Sequence, residues 1–436
     1  MWCDLIDAQR HLVRAIAGRP RDECGPLPFA GAPWFIRGDA ANAFNHWLLR
    51  STCAFQKAPP FAIHSVSSNG ERLSVDETII ESLPTGTLRK FTPNRMGPER
   101  AGKWPVMLCA PLAGHHAVML RETVETLLEE RDVFITDWAD ARDVPTDAGP
   151  LPLDDYVLAF ERFMCTARGL GTPVHILAVC QATVPALAAA ALLATEQAVP
   201  FASVSLLGGP LDTRLNPTFI DRFARSYPLD WFRDNFIHVV PPTYRGAGRR
   251  VYPGFVQHAA IITAHPERQL FLESTYWSNW LAGDLPAAMK ALRSLNEYAA
   301  ILDMAESYFL DIIRVVFHEH LLPRQLWSVA GRRVATEALC RTHLCTMEGD
   351  RDDIAGAGQT HCAHALCHVS PARPGRQLTV PHCNHYDLFT GSRWRDVVHP
   401  GLCSFWRDIE AVALDISRKR KEARHADSNH FAQDRS

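Results

Sequence analysis

Apolar residues along this chain follow two rhythms. Short uninterrupted runs, Pro105–Ala110, Val133–Trp138, Val174–Val179 and Ala202–Leu207, have the length and branched composition of strands buried on both faces. Between them lie stretches with apolar residues every three or four positions, as in Leu153–Arg168, and an Ala-rich stretch from Pro185 to Thr195; both predict helices. Two later runs, beginning at His343 and at Gln377, read as further strands, and Phe61–Val66 and Leu88–Phe91 are strand-like stretches ahead of the first clear core strand. Strands alternating with helices imply an α/β fold with a mostly parallel sheet covered on both sides. Residues 1–59 mix short helical patterns, Leu5–Ala17 and Asn42–Leu49, with Gly- and Pro-rich breaks and read as a packed N-terminal extension. Residues 60–210 then form the first part of the core. Over residues 211–335 the alternation stops, long helical patterns such as Pro286–His318 take over, and aromatic residues accumulate; the alternation resumes over 336–436.

Composition narrows the class. A chain of 436 residues exceeds what one core usually supports, so one large domain with an insertion, or two domains, is expected. With 48 acidic and 45 basic residues the net charge of −3 offers no field for nucleic acid. The basic run Arg418–Lys421 reads as a solvated helix end. Twelve cysteines spread over this length point to a reducing cytoplasm rather than to a disulfide scaffold. No leader pattern is read at the N-terminus, and no run reaches the roughly 18 apolar residues of a membrane span; Val184–Ala194 is the longest candidate.

The run Val174–Val179 stops at Cys180 and turns directly into the Ala-rich helix, a strand, nucleophile, helix order. This is the layout of an α/β-hydrolase elbow with Cys at the serine position and with Ala178 and Ala182 where G-x-S-x-G has glycines. Small residues are needed there because the turn crowds strand against helix and strains the nucleophile's backbone. In such folds acid and histidine follow the nucleophile on turns after late strands. The His343 strand runs into Asp350, Asp352 and Asp353, and the Gln377 strand runs into a turn carrying His385. His385 would serve as the base for the thiol, and one of the three aspartates would fix its tautomer; spacing alone leaves the choice among them open. The oxyanion of an attacked ester would be met by the backbone N–H of Gln181 and by that of Leu112 or Ala113 in the loop after the strand ending at Ala110. Gly114, His115 and His116 shape that loop. His361, Cys362, His364 and Cys367 lack a second ligand block for zinc and read as a helix packed beneath the acid turn. Leu207–Pro210 has glycines without a nucleotide-binding frame.

The chain as a whole resembles the intracellular polyhydroxyalkanoate (polyhydroxybutyrate) depolymerases, relatives of the polyester synthases. The resemblance rests on Ala110–His116, Ile135–Arg142, Ala178–Gln181, Leu207–Arg214, Val251–Phe255, Asp352–Thr360 and Asn384–Arg393, in order from about Pro60 to Pro400. Asn384 stands where the family usually has Gly before the histidine, and Ala113-Gly114 where it often has Ser-Gly. The resemblance implies an α/β-hydrolase fold whose helical insertion caps the site. Matching Asp352-Asp353-Ile354 to the family's acid turn selects Asp352, with Asp353 in reserve. It further implies cleavage of poly(3-hydroxybutyrate) or a similar short-chain polyester through an acyl-cysteine intermediate, at polymer granules in the cytoplasm, with no bound cofactor or metal. The acyl acceptor is water or a small thiol such as coenzyme A, and both stay open, as does the oligomeric state. A synthase-like acyltransferase is the alternative within the same fold, although its box usually has glycine on both sides of the nucleophile triplet. A granule-associated protein without chemistry is the alternative outside enzymes, and the three retained reacting groups argue against it.

Overall fold

In a computed structural model, residues 58–68, 70–94, 103–196, 201–264, 266–369 and 375–433 are described. The helical patterns expected at Leu5–Ala17 and Asn42–Leu49 lie outside them. Nine strands form the main sheet. The first three, β1 (Ser65–Ser68), β2 (Glu71–Leu83) and β3 (Gly86–Pro93), make an antiparallel meander at one edge. Next come β4 (Val106–Cys109), β5 (Val133–Trp138), β6 (Val174–Val179) and β7 (Phe201–Leu207). Three short strands, β8 (His238–Val239), β9 (Arg250–Tyr252) and β10 (Met304–Ala305), make a separate small sheet, and β11 (Ser328–Val329) pairs with β12 (Arg332–Arg333). Strands β13 (His343–Gly349) and β14 (Arg376–Val380) complete the main sheet. Its order is β1-β2-β3-β5-β4-β6-β7-β13-β14, and from β5 to β14 every pairing is parallel.

The parallel strands are continuous apolar runs because both faces are covered. All six residues of β6 are buried. Helices Leu153–Gly169 and Thr183–Thr195 pack on one face, with Trp138, Tyr156 and Phe160 in ring contact. Helix Arg121–Leu128 and the first turns of His399–Gln433, with Trp394 and Trp406 fully buried, cover the other. Ala186 to Ala191 are wholly buried, and their small side chains let the helix lie close to the sheet. The parallel order with helices on both faces and a nucleophile-type turn after its middle strand is the α/β-hydrolase fold.

Between β7 and β13 the alternation gives way, as expected, to helices: Phe219–Ser226, Leu229–Phe236, Gly254–Ala264, Pro266–Leu281, Leu285–Ala299 and Glu306–Ile312. The helical pattern read through Pro286–His318 is broken at 300–305. The backbone there is taken up by the core: His116 N–H donates to the Ala300 carbonyl, Leu302 N–H to Gly114, and Ala141 N–H to Asp303. Tertiary pairing outweighs helical propensity at this point. The edge hairpin also differs from expectation, since the strand read at Phe61–Val66 starts only at Ser65, while Phe61 and Ile63 are buried in loop conformation and Phe61 packs on Phe91. Strand β2, mostly exposed and rich in charge, carries no apolar run to announce it. Among the described residues no helix is long and apolar enough to cross a membrane.

Candidate active site

Strand β6 delivers Cys180 into a left-handed backbone conformation, φ +54, and a 3-10 turn over Cys180–Ala182 leads into the helix Thr183–Thr195. Such a φ is unfavourable for a residue with a Cβ and projects the thiol out of the sheet at a helix N-terminus, where partial positive charge favours an anion. The elbow is braced from within, because Thr183 Oγ1 donates to the Cys180 carbonyl at 2.8 Å. Ala178 and Ala182, the two small flanking residues, are buried.

The acid turn after β13 is built on buried Glu348. Its carboxylate accepts from the N–H groups of Gly358, Thr360 and His361. This fixes the turn that presents Asp352, whose Oδ1 accepts from Ile354 and Ala355 N–H at 2.9 and 2.8 Å. Its Oδ2 lies 2.8 Å from His385 Nδ1, with both side chains almost fully buried. Of the three aspartates left open by spacing, Asp352 is the one paired with His385. Asp350 is exposed and accepts from Cys383 N–H, and the N–H groups of His382 and Cys383 hold its carboxyl below its ordinary value; it braces the histidine turn. Asp353 is exposed at the surface of the acid turn.

His385 is buried, which by itself disfavours its charged form, yet its pKa is raised well above the ordinary value by Asp352 and by Cys180. Its Nε2 is buried and has no hydrogen-bond partner among the described residues. The Asp352–His385 pair is thus in direct hydrogen-bond contact, and the Cys180 thiol is near enough to bias the charge of the ring.

The loop after β4 is tied to the insertion above it. Gly114 N–H donates to Gln257 Oε1 at 3.1 Å, His115 N–H to the Ala113 carbonyl and His116 N–H to Ala300. Leu112 and Ala113, expected with Gln181 as oxyanion donors, directly precede these tied residues. Gln181 itself is held by its side chain, whose Oε1 accepts from the buried Tyr308 hydroxyl at 2.8 Å. His361 and His364, weighed as metal ligands, share the Thr346 hydroxyl at 2.7 and 3.0 Å. The helix Ala363–Leu366 follows the acid turn in the chain, and Ala363 and Cys367 are buried in the core. Buried Cys383 has its thiol pushed up to about 12 by burial.

Three participants carried no distinct signal in the sequence. Gly208, just past β7, has φ +56, and a Cβ there would lie 3.2 Å from Asp352 Oδ2 and 3.3 Å from His385 Cε1. Tyr308 was legible only as one of many insertion aromatics. Tyr386 follows His385 directly, and its ring stands edge-on to the imidazole at 5.8 Å.

Residues 208–410 match the family model described as PHB de-polymerase C-terminus. That segment contains Asp352 and His385 and excludes Cys180. No curated protein sequence matches the chain. Similar solved structures include 2-hydroxy-6-oxo-6-phenylhexa-2,4-dienoate hydrolase from Rhodococcus sp. strain RHA1, 15% identical, covering 77% of this chain and 100% of that one with a TM-score of 0.40. Carboxyl esterase 2 from the mycorrhizal fungus Tuber melanosporum is 12% identical over 83% of this chain and 95% of that one, TM-score 0.42. A thermophilic esterase from Thermogutta terrifontis is 12% identical over 80% and 98%, TM-score 0.37. Over residues 208–410 the chain is thus similar to the C-terminal part of PHB depolymerases, carried here on an α/β-hydrolase fold.

Proposed function

We propose that this protein is an intracellular depolymerase that cleaves the ester bonds of poly(3-hydroxybutyrate), or of a similar short-chain polyhydroxyalkanoate, through an acyl-cysteine intermediate. The observation that carries the reading is the buried Asp352–His385 pair at 2.8 Å, drawn to a thiol at a left-handed elbow. The thiolate of Cys180 attacks the ester carbonyl carbon while His385 holds the proton. Negative charge moves to the carbonyl oxygen, where the N–H groups of Gln181 and of Leu112 or Ala113 receive it. The intermediate collapses, the C–O bond to the alcohol breaks, and His385 gives its proton to the departing alkoxide. The free imidazole then takes a proton from water, whose oxygen attacks the thioester; the carboxylic acid leaves and the thiol is restored. A thiol such as coenzyme A in place of water would give a thioester product by the same steps. Asp352 keeps Nδ1 protonated and balances the charge on the ring.

Purified protein incubated with native amorphous granules, with and without coenzyme A, tests this. The expected result is release of hydroxy acid or its coenzyme A thioester by the wild type and none by Cys180→Ala. Polymer growth from acyl-coenzyme A would mark an acyltransferase. Granule binding without turnover would mark a coat protein, and either result would overturn the reading.

A further inference from the structure

Over the histidine turn the insertion places an arginine that the ester chemistry described above does not use. Arg268 stands in the first turn of the helix Pro266–Leu281. Its guanidinium lies over the Tyr386 ring at 4.5 Å and over the Tyr298 ring at 5.4 Å. Both tyrosines are buried and meet edge to face at 6.0 Å, and Tyr386 in turn borders His385. The guanidinium thus sits one ring away from the reacting groups.

Arg268 is poorly satisfied there. Its Nε is buried without a hydrogen-bond partner, and its Nη2 reaches only Thr390 Oγ1, at 3.5 Å. It forms no ion pair with a described residue, and Glu267, the adjacent acid, is exposed. Two neighbouring histidines do not compete for an anion. Burial, with His258 and Arg268 nearby, pushes His115 down to about 3, and burial pushes His258 down to about 4. Both are neutral near pH 7, so Arg268 supplies the positive charge of the cluster. Burial also raises both tyrosine hydroxyls, which keeps them protonated; Tyr386 donates to Tyr298, and the Tyr298 proton is the one left to donate. Ring faces attract a cation, but this attraction is weaker than the hydration that burial removes. A planar guanidinium with an unpartnered Nε, beside the Tyr298 hydroxyl, is the complement of a carboxylate.

We propose that Arg268, with Tyr298 and Tyr386, forms a carboxylate-binding subsite that holds the free carboxylate of the hydroxy acid on the leaving-group side of the scissile ester. The inference rests on the ester-cleavage reading and narrows its substrate class to chains or oligomers presented by their carboxyl end. During cleavage the hydroxy acid receives its proton from His385 at the alcohol oxygen while its carboxylate stays on Arg268. One unit would be released per turnover.

Soluble oligoesters of 3-hydroxybutyrate with a free carboxylate, compared with the same oligoesters capped as methyl esters, read this out. The wild type should favour the free acid in kcat/KM by at least about tenfold, the discrimination expected of one charged hydrogen-bonded pair. Arg268→Gln should bring the ratio close to one, and Arg268→Lys, which keeps the charge and loses the planar fork, should fall between. Titration calorimetry of 3-hydroxybutyrate into Cys180→Ala should show binding that Arg268→Gln weakens at least about tenfold. An unchanged ratio in Arg268→Gln would overturn the subsite, and so would equal losses on both esters without acid binding, the mark of a merely structural role. Arg268-dependent acid binding without turnover of either ester would support the subsite and overturn the ester-cleavage reading instead.

Discussion

Replacing Gly208 by Ala should slow the reaction far more than its distance from the thiol in sequence suggests. At φ +56 an alanine is held in the left-handed region, which costs about 1–2 kcal/mol. The new Cβ would also stand 2.8 Å from Leu388 Cδ1, 3.2 Å from Asp352 Oδ2 and 3.3 Å from His385 Cε1. Leu388 is fully buried, and overpacking of this kind adds about 1–3 kcal/mol. The methyl is therefore relieved by moving the two polar side chains it touches. Asp352 is pinned by two backbone N–H groups, so the imidazole is the part that shifts. Since a displacement near 1 Å can reduce rate about 10²-fold, kcat should fall by roughly ten- to a hundredfold, with stability lower by about 2–5 kcal/mol.

Denaturant unfolding and hydrolysis of a soluble short-chain ester on the same preparation separate the two effects. Gly171→Ala is the control. It also has a positive φ, +102, but nothing lies within 4 Å of its added Cβ. It should lose about 1–2 kcal/mol of stability from the backbone while kcat stays within about twofold. Wild-type kcat in Gly208→Ala would refute the reasoning, and so would an equal kcat loss in Gly171→Ala, because contact with the acid and the imidazole would then not be the cause.

Cys180→Ala should abolish ester cleavage and unfold at the wild-type denaturant concentration, and Cys180→Ser should lose most of the rate, both read by burst and steady-state kinetics. Asp352→Asn should lower kcat by about 10³–10⁴ by holding the wrong tautomer, whereas Asp350→Asn should lower it far less, because an amide oxygen can still accept from the histidine turn. Asp303 links insertion to core through Arg142 and accepts from Gly254 N–H within the insertion, and burial, reinforced by Asp140, raises it to about 7. The folded chain thus keeps a proton that an unfolded aspartate loses near 3.8, so this group's contribution makes stability fall as pH rises from about 4 to about 7; denaturation midpoints across that window should show the slope, and Asp303→Asn should flatten it. Glu410→Gln should destabilise the fold by up to about 3–5 kcal/mol, because it removes the closer counter-ion of buried Arg131 and leaves only Glu130, at 3.9 Å and partly exposed, while kcat of the folded fraction is preserved.

Much of the core could be read from the chain because burial on both faces leaves an unmistakable apolar run. Val133–Trp138 and Val174–Val179 are strands with the expected bounds. The elbow could be read for a related reason: a turn that tolerates only small neighbours leaves Ala178 and Ala182 around its thiol. What escaped has no local cause. Residues 300–305 leave the helix because their backbone is claimed by Gly114, His116 and Ala141, some 160 or more residues earlier in the chain. Arg268 and Tyr386 are 118 positions apart and meet only once the insertion folds over the histidine turn. Choosing Asp352 over Asp350 and Asp353 likewise needed the turn itself, since three carboxylates within four positions differ in direction rather than in chemistry.

The same strand that carries Cys180 carries a second polar row that shows what composition alone would mistake. Near the start of β6, His175 Nδ1 is 2.7 Å from Ser203 Oγ and its Nε2 is 3.2 Å from Glu410 Oε1, a serine, a histidine and a carboxylate in hydrogen-bond order. All three are buried, Trp406 stacks on the imidazole at 5.4 Å, and Glu410 is shared with Arg131 and with Trp104 N–H. Burial pushes His175 down to about 4, whereas His385, equally buried, is pushed up. The difference lies in the partners. Glu410 divides its charge with a guanidinium, which repels a second positive charge beside it; the other side chain that shares His385 with Asp352 is a thiol, which attracts one. A neutral imidazole sealed beneath the sheet can neither activate Ser203 nor meet a substrate, so its row serves to satisfy polar groups that the parallel core encloses. Five residues later the strand ends, the backbone turns to positive φ at Cys180, and the thiol there helps hold His385 toward its charged form.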